Sequence, residues 1–296
     1  MSDCPEVAVI VPTRALAERA PLIQRALTSI LSQEGVRPVP IVVVNGPDWD
    51  PAIVREFDVN PGVRLIRLDT PGIPGALQAG RAAVNTEWFS ALDDDDIYLP
   101  GALAMRVKTL RNNPDCDTVV TNGLRRDAEG EKVHIAQISA VEQNPLKSLM
   151  RGNWLLPGSW LCRSEKIGGW LFEGMPKFRE CTFLAIQFAL HGHLRFLAEP
   201  TVAWYTDTPA SESKTRDYIL GHKFALERML ELPVPEEFAQ WLRQQVLAAR
   251  HSEAALHLRE GNLAQSWRSH LRSLSGPRGW RYVPFSLRLL QATLQR

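Results

Sequence analysis

The chain has 296 residues, of which 45% are hydrophobic and 23% charged, and its formal net charge is +1. This is the composition of an ordinary globular protein that can bury a large core. The lack of a long uncharged apolar run excludes a membrane-spanning helix, and four scattered cysteines argue against a zinc site or a disulfide framework. The first residues lack the features of a secretory signal, so we expect a cytoplasmic protein.

Short apolar runs alternate with segments of helical periodicity through the first half of the chain. Strands are predicted at 7–11, 40–44, 63–68, 88–92 and 118–122, and helices at 21–33, 52–57, 73–84 and 103–110. This alternation predicts an α/β fold with a mostly parallel central sheet flanked by helices. The region 145–180 is rich in glycine, proline and aromatic residues and is predicted to form loops. Beyond residue 218 the chain is almost wholly helical.

Four consecutive aspartates, Asp93 to Asp96, follow the apolar run 88–92. In open α/β sheets, ligands bind at the carboxyl ends of the strands. Neighbouring carboxylates repel one another unless a cation neutralises them. Oxygen ligands suit hard ions such as Mg²⁺ or Mn²⁺, which commonly bridge a protein to phosphates. The run therefore predicts a metal-diphosphate site, and the alternative is a solvated acidic loop.

Three motifs occur in an informative order: VIVPTR at 9–14, VVVNGPDWD at 42–50 and LDDDDIYLP at 92–100. Together they resemble the family 2 glycosyltransferases, with the last motif similar to that family's metal-binding DxD signature. The resemblance covers about 1–215. It implies a Rossmann-like nucleotide-diphospho-sugar transferase fold for a catalytic domain at 1–215, followed by a helical C-terminal extension at 216–296.

The resemblance also implies a donor site for a nucleoside-diphosphate sugar and a divalent metal, Mn²⁺ or Mg²⁺. It assigns the metal to Asp93 and Asp95. Asn45 stands where the family usually has an aspartate that reads the base, and Arg81 lies near a missing Arg-Asn pair, so the base and the sugar stay open. The residues expected to contact the nucleotide sugar are Pro12, Thr13, Arg14, Asn45, Arg81, Asp93 and Asp94.

The general base departs from the family pattern. The segment 179–182 falls where the family has an acid pair whose second member is the base, and here that member is Cys181. Because a neutral thiol is a poor base for a sugar hydroxyl, we expect Glu180 to act instead, with Asp207 as the second candidate. Cys181 also leaves open a catalytically impaired nucleotide-sugar binding protein of the same fold.

The reaction implied by the resemblance displaces a nucleoside diphosphate from an anomeric carbon by an acceptor hydroxyl, with inversion at that carbon. The acceptor would be a glycan, a lipid-linked sugar or another hydroxyl compound, and the resemblance implies a role in assembly of a polysaccharide or glycoconjugate. A nucleotidyltransferase is the other alternative, because it shares the sheet and the acidic metal site. That class opens with a glycine-rich loop after its first strand, which residues 12–17 lack.

The carboxy-terminal region is basic. From Trp241 onward there are nine arginines and two glutamates, a net charge of +7, which leaves −6 for residues 1–240. Arginines interleaved with aromatic residues suit an anionic membrane surface, so we expect a peripheral protein at the inner face of the membrane with no nucleic acid partner. The alternative is a helical tail packed on the catalytic domain with its arginines exposed.

Overall fold

The computed structural model describes residues 4–208 and 215–295. It divides into two compact units. The first unit contains Met1–Met175 and Glu180–Pro209, and the second contains Pro176–Arg179 and Ala210–Arg296. The predicted domain boundary, between 215 and 216, lies six residues beyond this division.

Four parallel strands form one half of the sheet in the first unit. They are β1 (Glu6–Thr13), β2 (Arg37–Asn45), β3 (Arg64–Leu68) and β4 (Trp88–Ala91), in the order β3-β2-β1-β4. The connecting helices are α1 (Ala20–Leu31), α2 (Pro51–Val59) and α3 (Ile73–Ala82). Residues 7–11 of β1 are completely buried, as expected for a parallel strand covered on both faces. This half of the sheet confirms the predicted strand and helix alternation.

The other half of the sheet is mixed. Its strands are β5 (Ile97–Tyr98), β6 (Thr118–Asp127), β7 (Gly130–Val133), β8 (Trp160–Arg163) and β9 (Leu194–Tyr205). The order continues β4-β8-β6-β9-β5, with β7 on β6. Only β6 and β9 run parallel here, and β8 is antiparallel to both of its neighbours. The helices of this half are α4 (Ala102–Asn112), α5 (Ile138–Gln143), α6 (Pro145–Leu149) and α7 (Glu180–His191).

The predicted α/β fold with helices around a central sheet is confirmed, and parallel pairing is concentrated in its first half. The difference arises at β8, which lies inside the region predicted to form loops. Its Trp160 is buried, and its ring packs edge-to-face on Phe89, with the centroids 5.7 Å apart. The strand is four residues long and fully buried over three of them, so it has no alternating pattern to reveal it.

Helix α3 packs closely on β1, the strand beside β4. A Cβ atom on Gly80 would lie 2.3 Å from the Ile10 side chain, so only glycine allows this approach. The chain continues beyond β4 with Leu92, whose backbone N–H donates to the Ile10 carbonyl at 2.9 Å. The aspartates therefore leave the sheet at the carboxyl end of β4, next to the end of β1.

The second unit is helical. Its helices are α8 (Arg216–Met229), α9 (Glu236–Arg259), α10 (Leu263–Leu274) and α11 (Pro284–Leu294). The Thr215 hydroxyl caps α8, and the Asn262 side chain caps α10 by accepting from the Gln265 N–H. No described helix combines the length and the apolar character that crossing a bilayer requires.

Candidate active site

Three carboxylates meet after β4. One oxygen each from Asp93, Asp95 and Asp96 lies within 4.8 Å of the others. Asp96 is completely buried, and its Oδ1 accepts from the Tyr205 backbone N–H at 3.0 Å. Its Oδ2 has no hydrogen-bond partner in the part of the chain that the structure describes. The structure thus brings together the two predicted metal ligands and adds a third carboxylate, Asp96.

Burial and mutual repulsion disfavour simultaneous ionisation of these carboxylates. Burial raises the pKa of Asp93 well above its ordinary value, and the charges of Asp95 and Asp94 raise it further. Burial also raises the pKa of Asp96 well above its ordinary value, followed by the charge of Asp93. A buried carboxylate oxygen without a donor, beside two more carboxylates, fits a hard divalent cation, which would supply the missing positive charge.

Asp94 faces a different set of partners from its neighbours. Its Oδ2 accepts from the Thr13 hydroxyl at 2.6 Å, and its carboxylate forms an ion pair with Arg19. The Thr13 hydroxyl oxygen in turn accepts from the Ala15 N–H at 2.9 Å. Both side chains tie the end of β1 to the aspartate loop, and their contacts with the nucleotide sugar stay predictions.

Two arginines that the sequence did not indicate stand beside the aspartates. The Arg19 Nη2 lies 3.3 Å from the Asp95 Oδ2. Arg25 donates to the Asp95 carbonyl, and its guanidinium lies 3.9 Å from the centroid of the Tyr205 ring. Arg19 directly precedes α1 and Arg25 belongs to it, and α1 has the sequence of an ordinary amphipathic helix. Their sequence position could have indicated their place in the site, because α1 begins at the edge of the sheet where β1 ends.

Asn45 is buried and its side chain bonds to backbone groups. Its Nδ2 donates to the Thr13 carbonyl at 2.9 Å, and its Oδ1 accepts from the Gly72 N–H at 2.8 Å. These bonds join the ends of β1 and β2 to the loop before α3. Asn45 therefore ties these loops together, and its contact with a base stays a prediction, because each end of the side-chain amide can form a further hydrogen bond.

The other two residues of the first motif have different environments. Pro12 is buried within β1 and pairs in register with Val43 of β2. Arg14 is half-exposed and forms a surface ion pair with Asp48 at 3.0 Å. Of these two, Arg14 is the one whose side chain faces solvent at the carboxyl edge of the sheet, so a nucleotide contact remains a prediction for it.

Arg81 lies away from the aspartates. Its guanidinium donates to the carbonyls of Ser164 and Ile167, both at 2.7 Å, and packs over the Phe89 ring. The Ser164 backbone N–H donates to the carbonyl of Glu87 at 2.9 Å. Because Glu87 directly precedes β4, Arg81 lies where β4 begins. The aspartates stand where β4 ends. Helix α3 thus carries Arg81 to the edge of the sheet opposite the aspartates, and its phosphate contact stays a prediction that this position does not support.

Glu180 and Cys181 begin α7 close to the aspartates. The charge of Glu180 contributes to the raised pKa of Asp93. Burial raises the pKa of the Cys181 thiol well above its ordinary value, and the charge of Asp93 raises it further, so the thiol stays protonated. The backbone just before Glu180 is strained, with left-handed φ angles of 68° and 63° at Phe178 and Arg179. Such strain is concentrated at functional sites.

Asp207 is exposed in the segment that follows β9. It lines a surface pocket with Arg126, Asp127, Gly130, Glu131 and Tyr205. The next residue, Thr208, is buried, and its hydroxyl donates to the Tyr205 carbonyl at 3.4 Å. The following residues, 209–214, lie outside the described part of the chain.

Comparison of the sequence with known proteins identifies related glycosyltransferases. The succinoglycan biosynthesis protein ExoO of Rhizobium meliloti (strain 1021) is 33% identical over 156 residues, which are 48% of this chain and 43% of ExoO. An uncharacterized glycosyltransferase of Rickettsia felis is 30% identical over 122 residues, 40% of this chain and 20% of that protein. The chain thus aligns with less than half of the length of each of these relatives.

Solved structures with a similar fold exist, and the match to a sequence family comes from a separate comparison. Residues 1–349 of S. aureus TarS, solved in complex with UDP-GlcNAc, superpose with a TM-score of 0.58 at 13% identity, covering 98% of this chain and 87% of that one. A further S. aureus TarS structure gives a TM-score of 0.60 at 13% identity, covering 94% of this chain and 50% of that one. The sequence profile of the family described as "Glycosyl transferase family 2" matches residues 8–164, more than half of the chain. The protein is therefore a member of glycosyl transferase family 2.

Proposed function

We propose that this glycosyltransferase moves a sugar from a nucleoside-diphosphate donor to an acceptor hydroxyl, with a divalent cation held by Asp93, Asp95 and Asp96. The observation that carries the proposal is the buried Asp96 Oδ2, which has no partner within residues 4–208 and 215–295 and lies in a group of three carboxylates. A purely structural acidic loop would not leave a buried carboxylate oxygen unbonded. Family membership supports the same reaction.

The protein groups around the aspartates hold the donor site in shape. When bound, a divalent cation neutralises negative charge that develops on the leaving diphosphate. The Tyr205 N–H donates to the Asp96 carboxylate, and Arg19 lies 3.3 Å from the Asp95 carboxylate. Arg25 holds the Asp95 carbonyl, so the loop keeps its shape when the donor arrives.

We infer that Glu180 is the general base. Its carboxylate would accept the proton of the acceptor hydroxyl while that oxygen attacks the anomeric carbon. The bond from this carbon to the diphosphate oxygen breaks, and the nucleoside diphosphate leaves on the opposite face, which inverts the carbon. Cys181 is unsuited to this role because its raised pKa keeps the thiol protonated. Asp207, exposed beside Thr208, is the second candidate.

The names of the similar proteins support a choice of donor and acceptor classes. Because ExoO is named for succinoglycan biosynthesis, we propose a glycan or lipid-linked sugar as the acceptor, used in polysaccharide assembly at the cytoplasmic side of a membrane. The UDP-GlcNAc complex of TarS makes UDP-sugars the first donors to test.

The test is a nucleoside-diphosphate release assay with a panel of nucleotide sugars, in the presence of Mn²⁺ or Mg²⁺ and again with EDTA. We expect one donor to release its nucleoside diphosphate, with the rate lost in EDTA and lost in Asp95→Asn. Binding of a nucleotide sugar without release in either metal, with or without added acceptors, would support the impaired binding protein instead. Release of pyrophosphate from a nucleoside triphosphate and a sugar phosphate would support the nucleotidyltransferase.

A further inference from the structure

Helix α11 has one buried face and one exposed apolar face. Phe285 is 8% exposed and Leu289 is fully buried, and both pack in a small core with Ala254. The opposite face carries large apolar side chains in solvent. Including the turn before the helix, these exposed residues are Trp280 (71%), Val283 (52%), Leu287 (66%), Leu290 (49%) and Leu294 (86%). We call them the apolar stripe.

Helical geometry explains the stripe. Each residue advances about 100° around a helix, so Val283, Leu287, Leu290 and Leu294 fall within an arc of about 60°. The buried Phe285 and Leu289 fall on the other side of the same helix. The stripe is therefore a continuous ridge and not a scatter of single exposed side chains, which would need no explanation. The helix spans about 16 Å.

The charge around the stripe has one sign. No aspartate or glutamate follows Glu260 in the sequence. Five arginines of this segment are exposed, namely Arg268, Arg272, Arg278, Arg281 and Arg288. Arg281 and Arg288 alternate with the stripe residues in the sequence, and around the helix Arg288 lies about 100° from Leu287. An apolar ridge with arginines on the flank of the same helix, and an exposed tryptophan at one end, is the composition of a helix that lies in a membrane interface.

We propose that the apolar stripe docks on an anionic phospholipid bilayer, with α11 parallel to the membrane plane. The leucines and Trp280 enter the boundary between headgroups and acyl chains, and Arg281 and Arg288 contact lipid phosphates. This inference goes beyond the transfer reaction and does not depend on it, because every residue involved belongs to the second unit.

A second copy of the chain is the competing occupant, and the charge disfavours it. Two stripes paired about a two-fold axis bring the arginines of both copies into one interface, since such an interface uses the same patch twice. No carboxylate from this segment is present to neutralise them. An anionic bilayer supplies the opposite charge over its whole surface.

The experiment is flotation of the full chain with vesicles of phosphatidylcholine alone or mixed with phosphatidylglycerol. We expect binding to the mixed vesicles at low salt, weakening as salt screens the arginines. Trp280→Ser with Leu287→Ser should weaken binding at least about tenfold, because two large apolar side chains no longer leave water. Arg281→Gln with Arg288→Gln should weaken it about fivefold for each arginine.

Matched controls separate the stripe from general exposure. Phe224 (60% exposed) and Val59 (73%) lie outside the stripe, so Phe224→Ser with Val59→Ser should bind like the wild type. Arg55 and Arg111 are exposed in the first unit, and their double glutamine variant should also bind like the wild type. The proposal is overturned if the wild type ignores anionic vesicles at low salt, or if the stripe variants bind equally well. A wild-type dimer in ultracentrifugation that Trp280→Ser with Leu287→Ser dissociates would also overturn it, because a second copy then covers the stripe.

Discussion

The Arg19 guanidinium bridges two neighbouring aspartates, with its Nη2 3.3 Å from the Asp95 Oδ2 and its Nε 3.3 Å from the Asp94 Oδ2. Although burial lowers it, the pKa of Arg19 is raised above its ordinary value by the Asp94 and Asp95 carboxylates. The protein thus places its own cation on a residue expected to bind a metal. Arg19 neutralises part of the negative charge of the aspartate loop, and we expect it to compete with a bound cation for the Asp95 carboxylate.

Replacing Arg19 tests this competition. In Arg19→Gln the carboxylates lose their counter-charge, so the metal-free protein should lose about 2–4 kcal/mol of unfolding free energy. Addition of Mn²⁺ should then raise the melting temperature more than it does in the wild type, because Asp95 is free to bind the ion. Thermal melts with and without Mn²⁺ measure both effects. Arg14→Gln removes an exposed ion pair and should change neither, and an equal Mn²⁺ increment in Arg19→Gln and wild type would contradict the competition.

Asp95 and Asp94 are adjacent and should behave differently. Asp95→Asn should weaken Mn²⁺-dependent binding of a nucleoside diphosphate by about 100-fold or more, since it removes a charged ligand. Asp94→Asn should leave that binding within a few fold but lower the unfolding free energy by about 1–3 kcal/mol, because the Thr13 and Arg19 side chains lose a charged partner. Calorimetry and denaturant unfolding measure the two effects. If Asp94→Asn abolishes binding while the protein stays folded, Asp94 is itself a ligand.

Glu180→Gln should reduce transfer about 100-fold or more while donor binding is kept, as expected when a general base is removed. The matched control is Cys181→Ser, which replaces a protonated thiol with a hydroxyl and should keep most of the rate. Initial rates at saturating donor, with nucleoside-diphosphate affinity measured separately, distinguish catalysis from binding. Full turnover in Glu180→Gln would move the base elsewhere, and Asp207→Asn is the variant to measure next.

The second unit should lose stability in mild acid through His222. Burial, and then the charge of Arg179, lower the pKa of His222 to about 4, from 6.5 for an ordinary histidine. The folded protein therefore binds fewer protons than the unfolded chain between these two values. Its unfolding free energy is fully retained above pH 6.5 and should fall by about 1–2 kcal/mol on the way to pH 4, allowing for partial exposure of the ring. Chemical unfolding across this range should show a smaller fall in His222→Gln, and an unchanged fall would rule His222 out.

Local sequence patterns predict the parallel half of the sheet and the position of the acidic site. Apolar runs such as 7–11 and 40–44 and the helical spacing between them are local patterns, and local patterns specify local structure. The position of the aspartates directly after an apolar run predicts a metal site, and the resemblance to family 2 glycosyltransferases singles out Asp93 and Asp95. Strand β8 was not predicted, since a short, fully buried strand has no alternation to distinguish it from a packed loop.

Contacts between residues far apart in the sequence bring the groups of the site together. Asp96 is a candidate metal ligand because the Tyr205 N–H of β9 donates to one of its oxygens, while the other has no partner among the described residues. Arg19 lies beside the aspartates because it contacts Asp94, and Arg81 lies away from them because it contacts Ser164. Each of these contacts joins residues more than 70 positions apart in the sequence. Tertiary contacts also matter in α11. Periodicity states that Leu287 and Leu290 share one face and Phe285 and Leu289 another, but only packing against α9 decides that the second face is buried and the first meets solvent.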